Sequence, residues 1–170
     1  MKRMKYYIAA MAALFSVAPL HAAQEASAAP VPAVTKAVSE TTFLTGTPIA
    51  DAQYYVYIFS ASWCGPCRAL MPQVVALYPE MKANKVEIIL ISCDRNERMA
   101  KKYIEHYEAG FPGLYVKAPG VLSLPGVSMP KSIPHAIIVD ANGKVLAQGH
   151  GSIVRNWKMI CYPQQATQAN

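Results

Sequence analysis

Two unbroken apolar runs of strand length, "YYVYIFS" (54–60) and "KVEIILIS" (85–92), bracket a single helix-patterned segment. That arrangement limits the fold more than any other feature of the 170-residue chain. Runs of β-branched and aromatic residues without polar alternation suit strands covered on both faces. Between them Leu70, Val74, Leu77 and Met81 recur at helical spacing, which predicts a helix to about Lys82. A helical crossover makes the two strands parallel. Asp94 and Glu97 form a capping-box-like pair before a second helix, with Met99, Tyr103, Ile104 and Tyr107 on one face. Residues 109–132 hold many Gly and Pro, so loops with short elements are expected there. "HAIIVD" and "KVLAQG" flank "ANG", whose Asn142-Gly143 suits a tight hairpin turn and adds an antiparallel edge. Ile153, Trp157, Ile160 and Cys161 share one face of a terminal helix. The result is an α/β, three-layer sandwich, with a mixed central sheet and helices on both faces. Sites in such sheets form at the carboxyl ends of the strands, where the loop after residue 60 stands.

The N-terminal end reads differently. Lys2, Arg3 and Lys5 precede the apolar "YYIAAMAALFSVAPL", with small residues behind it. Residues 1–22 are therefore expected to be a signal peptide, cleaved after Ala22 or Ala23, with Ala28 as a further cleavage position. The apolar run is short for a membrane span; the alternative is an uncleaved anchor. Export to a bacterial periplasm is expected, a compartment where disulfides persist. No cysteine lies near the cleavage region to carry a lipid anchor. Residues 23–40 are rich in Ala, Pro and Ser and are expected to be a flexible linker, leaving 41–170 as one domain. The formal charge of +6 overstates the basic character. Without residues 1–22, 13 basic and 10 acidic side chains remain, a net +3, with no run of Lys or Arg. No nucleic-acid partner is expected. With 53% hydrophobic residues and four cysteines, the core rather than disulfide staples carries stability.

The loop between the first strand and its helix is "SASWCGPCR" (60–68). Cys64 stands at a helix N-terminus, where free N–H groups and the dipole favour an anion. Such placement lowers a thiol pKa from roughly 8.5 toward 7 or below. Cys67, one turn inward, is placed to attack a mixed disulfide on Cys64. Gly65 lets another backbone approach, Pro66 presets the first helical turn, and Trp63 offers an apolar wall. Two cysteines so spaced can also staple a loop or supply half of a zinc site. A second CxxC, which would favour zinc, is absent from the sequence.

"WCGPCRALMP", with Pro72 five residues after the second cysteine, resembles the thioredoxin superfamily motif. "YIFSASWCGPCR" followed by "VEIILISCDRNERMAKKYIEHY" resembles the tryparedoxin and nucleoredoxin branch, and "SIPHAIIVDANGKVLAQGHG" is similar to the family's cis-proline loop and final hairpin. The resemblance spans roughly residues 52 to 160. It implies a thioredoxin-like fold, a redox-active Cys64–Cys67 disulfide and a cis Ile133-Pro134 peptide beside it. Ile133's backbone would then pair with an extended substrate, with Trp63, Met129 and Ile133 as an apolar docking patch. It also implies a thiol-disulfide oxidoreductase without a cofactor, monomeric, acting on protein or peptide disulfides, with a membrane-side electron donor. Gly-Pro between the cysteines, and Ile before the proline, resemble the reducing branch; an oxidase or isomerase is the enzyme alternative, and a copper or zinc carrier the binding alternative. Two positions depart from the pattern. Ile58 and Leu70 stand where relatives keep a carboxylate that helps move the second thiol's proton. His135 is a candidate proton relay in their place.

Cys93, at the end of the second strand, and Cys161, on an apolar helix face, are read as small buried hydrophobes rather than a bonded pair. His106 is placed on a solvated helix face and His150 in a turn.

Overall fold

The computed structural model describes residues 31–108 and 110–166; the expected signal peptide and the start of the expected linker lie outside them. Five strands form one sheet in the order β3-β2-β1-β4-β5. They are β1 (Tyr54–Ser60), β2 (Val86–Ser92), β3 (Gly113–Tyr115), β4 (His135–Asp140) and β5 (Val145–His150). β1 and β2 run parallel in the register Tyr54↔Val86 to Ser60↔Ser92, so their carboxyl ends are level at one edge. β3 continues the parallel half, while β4 and β5 add antiparallel pairs. The helices are α1 (Ala33–Ser39), α2 (Gly65–Ala83), α3 (Glu97–Glu105), α4 (Trp157–Cys161) and α5 (Pro163–Ala166). The thioredoxin-like three-layer architecture is the one expected.

Strand alternation divides the core in two. Val56, Ile58, Ile88, Leu90, Ala136 and Ile138 face Leu70, Met71 and Val74 of α2, together with α3 and Trp157. Tyr55, Tyr57, Phe59, Ile89, Ile91 and Ile137 face the other layer, built from α1, Val121 and Leu124. Each large side chain removed from water in this way contributes about 1.5–3 kcal/mol before entropy is set against it.

Three expectations are corrected. Residues 33–39, inside the segment expected to be a flexible linker, form a helix. Val34 and Val38, four residues apart, bury fully against the sheet. The Val34 N–H donates to the Ala141 carbonyl (2.9 Å), and the Tyr55 hydroxyl donates to Thr35 Oγ1 (3.1 Å). Counting Ala and Pro missed this two-residue apolar stripe. The cap of α3 is Asn96, whose Oδ1 accepts the Met99 N–H at 2.9 Å; Asp94 is turned elsewhere. The terminal helix is a 3-10 turn, Gly151–Asn156, followed by α4, with Trp157 and Cys161 buried. The hairpin turns as expected: Gly143 takes φ 89°, a region open to glycine, and Asp140 Oδ1 accepts the N–H groups of Asn142 and Lys144.

Candidate active site

The chain leaves β1 at Ser60, turns through 61–63 and enters α2 with Cys64 as the cap residue. Cys64 adopts extended backbone, and its Sγ accepts the Cys67 N–H at 3.2 Å. Pro66 lies in the first turn, where a missing N–H costs nothing. Cys64 and Cys67 are joined as a disulfide with Cα atoms 5.2 Å apart. Cys64 is the outer partner, 6% exposed against 0% for Cys67. Its Sγ lies 3.8 Å from the Ile133 carbonyl oxygen, and the Ile133–Pro134 peptide is cis. Above Gly65 the space is open, with nothing within 4 Å of where a Cβ would stand. Trp63 and Met129 are 60% and 58% exposed, and Ile133 packs partly buried against the two cysteines. The structure therefore brings Trp63, Gly65, Pro66 and Ile133 to the sulfur pair, around a face left open to solvent.

The loop is held from below. Asp94, buried at the end of β2, accepts the Ser62 N–H (3.2 and 3.3 Å to its two oxygens), the Ser62 hydroxyl (2.6 Å) and the Ser92 hydroxyl (2.8 Å). Sequence reasoning took Asp94 for a helix cap. The signal that identifies it is the register: level strand ends bring the residues after Ser60 and Ser92 together. The Ser60 and Tyr103 hydroxyls share a buried hydrogen bond (2.7 Å) that ties β1 to α3. On the other side Gly151 is wedged in. Its N–H donates to the Pro134 carbonyl (3.0 Å), and a Cβ there would stand 2.5 Å from Leu70 Cδ2 and 3.1 Å from Pro134 Cβ.

Cys93 and Cys161 are both unpaired. Cys93 packs against Cys64, Cys67 and Ala61, and its N–H donates to the Ser60 carbonyl (2.7 Å). Burial, and then the Asp94 carboxylate, push its thiol up to about 11. Cys161 packs with Trp157 in the core, where burial pushes it up to about 12. Ile58 and Leu70 are buried in that same core. His135 sits opposite Phe59 and His150 in the sheet, on the face of Ile137 and Val139 that is turned away from α2. Burial, and then His150, lower its pKa. His150 caps the 3-10 turn, its Nδ1 accepting the Ser152 N–H. Among the described residues no group of three or more His, Cys, Asp and Glu is placed to hold a metal ion, and no helix is long and apolar enough to cross a membrane.

Comparison with known proteins agrees with this geometry. A family model described as Thioredoxin-like matches residues 51–145. The thiol-disulfide oxidoreductase ResA of Bacillus thuringiensis subsp. konkukian is 32% identical over 93 residues, 55% of this chain and 52% of the relative. Nucleoredoxin of Xenopus laevis is 33% identical over 115 residues, 62% of this chain and 26% of the relative. The chain thus spans about half the length of the ResA relatives it matches. Among solved structures, tryparedoxin II of C. fasciculata superposes with a TM-score of 0.57 at 26% identity, covering 77% of this chain and 93% of that one.

Proposed function

This chain belongs to the thioredoxin-like family, and from that premise we propose that it is an exported thiol-disulfide oxidoreductase that reduces protein or peptide disulfides. The observation that carries the reading is the position of Cys64 Sγ, at the N-terminus of α2, accepting the Cys67 N–H beside the Ile133 carbonyl, with Cys64 the less buried of the two cysteines. In the reduced protein the same N–H and the helix dipole favour the Cys64 thiolate over the thiol. That thiolate attacks one sulfur of the substrate disulfide; the substrate S–S bond breaks, and its other sulfur leaves and takes a proton. Cys67, losing its proton, attacks Cys64 Sγ. The mixed disulfide breaks, the second substrate thiol is released, and the Cys64–Cys67 bond forms. Two electrons and two protons pass to the substrate, and a dithiol donor at the membrane side returns the protein to its reduced state.

Ile133 presents its backbone carbonyl to an extended substrate, exposed Trp63 stands next to Cys64 in the chain as an apolar contact, and exposed Met129 is proposed as a further part of the docking patch. With Ile58 and Leu70 apolar and His135 on the sheet face turned away from α2, the Cys67 proton goes to water. Export rests on the expected signal peptide, and a monomer is the proposed working form. The midpoint potential of the Cys64–Cys67 couple tests the direction. A value near about −270 mV supports a reductase, and one near about −120 mV makes the protein an oxidase.

A further inference from the structure

Beside the redox loop runs a cleft of about 640 Å³, between α2 and α3. Three cations ring it: Arg68, the residue after Cys67, and Arg98 and Lys102 on α3. All three side chains are exposed, and no carboxylate pairs with them within ion-pair distance among the described residues. The arrangement follows from helical spacing. Arg98, Lys102 and His106 recur every fourth residue and share one side of α3, whereas Glu97, Lys101 and Glu105 occupy the adjacent row. There Lys101 pairs with Glu105, so the helix's negative charge is spent away from the cleft. The floor is Tyr103 and Tyr107, stacked edge to face with centroids 5.4 Å apart. At its end the cleft reaches Ser62, two residues from Cys64 and so within roughly 7 Å of it along the chain.

We infer that this cleft selects the protein's disulfide partner by binding an acidic segment of that partner next to the cysteine being attacked. Three unpaired cations over an aromatic floor complement carboxylates, which accept from guanidinium and ammonium groups while the chain between them lies on the tyrosine rings. The position of Ser62 fixes the geometry: a segment seated between Arg98 and Lys102 delivers the next few residues to Cys64. The inference rests on the reductase reading, because it assigns the specificity of that same site.

Two measurements separate the inference from that reading. A fluorescein-labelled, cysteine-free peptide with six consecutive glutamates is titrated against the oxidised protein at low salt and followed by anisotropy. Binding is expected to weaken roughly tenfold in R98Q/K102Q and to stay unchanged in the charge-matched K82Q/K144Q variant. No binding, or equal loss in both variants, would overturn the inference, as would tighter binding of a single-stranded oligonucleotide of equal charge. The second measurement compares two disulfide-linked peptides, one flanked by glutamates and one by glutamines, as substrates of the dithiothreitol-fed protein. The acidic peptide is expected to show the higher kcat/KM, an advantage that salt and R98Q/K102Q remove while the glutamine peptide is turned over as before. Equal rates would overturn the cleft's role with the reductase reading intact. Failure to reduce either peptide would sink the reductase reading, and the anisotropy result would still decide the cleft.

Discussion

Asp94 holds Ser62 by both its backbone N–H and its hydroxyl, the latter at 2.6 Å, so the carboxylate at the end of β2 sets the loop that presents Cys64. Replacing it with alanine leaves those groups and the Ser92 hydroxyl without their buried acceptor. Asp94→Ala is therefore expected to lose about 1–3 kcal/mol of stability, read from urea unfolding of the oxidised protein. The loop should also exchange its amide protons faster at residues 61–63. Unchanged exchange there would mean that the carboxylate does not position the loop.

Gly151 makes a second, steric test of the frame. Its added methyl would meet Leu70 and Pro134, the residues that link the helix of the redox pair to the Ile133 loop. Gly151→Ala is expected to cost about 1–3 kcal/mol through overpacking, seen as a lower denaturant midpoint with an unchanged slope.

The two remaining thiols should react slowly. With Cys93 at about 11 and Cys161 at about 12, the thiolate fraction at pH 8 is on the order of a hundredfold or more below that of an ordinary exposed thiol. Alkylation of the folded, oxidised protein is expected to modify neither within minutes. In denaturant both are modified and the Cys64–Cys67 pair is not. Their protection in denaturant would mean that they are bonded.

His135 makes stability depend on pH with a definite sign. Its folded pKa lies below its unfolded value of about 6.5, so between the two the unfolded chain binds more protons. Stability contributed by neutral His135 is complete above pH 6.5 and falls as the pH drops toward the folded pKa. The loss should be shallower in His135→Gln, measured by unfolding from pH 7.5 to 5.5. An identical slope in both proteins would show that burial and His150 do not perturb this ring.

Much of this was legible in the sequence, for identifiable reasons. β1 and β2 are continuous apolar runs, and the helix between them carries its own period, so the parallel unit and the place of Cys64 followed from spacing alone. The Ile133–Pro134 loop was visible only through resemblance, because nothing local in Ile-Pro distinguishes one peptide isomer from the other. α1 escaped because its stripe is two valines within an Ala- and Pro-rich stretch, and it buries only because Tyr55 and the Ala141 carbonyl wait across the sheet. Asp94 was misplaced for a related reason. Its position three residues before Glu97 satisfies a capping rule, but level strand ends offered it Ser62 and Ser92, and Asn96 was free to cap. Contacts made across strands were the part that local pattern could not supply.

The central claim is that Cys64 attacks and Cys67 resolves, and trapping tests it most directly. A Cys67→Ser protein, reduced and then presented with a disulfide-linked peptide, is predicted to accumulate a mixed disulfide through Cys64, detected by mass under non-reducing conditions. Cys64→Ser is predicted to accumulate little or none, since Cys67 is fully buried beneath the outer residue. Equal trapping by the two variants, or trapping by Cys64→Ser alone, would contradict the account.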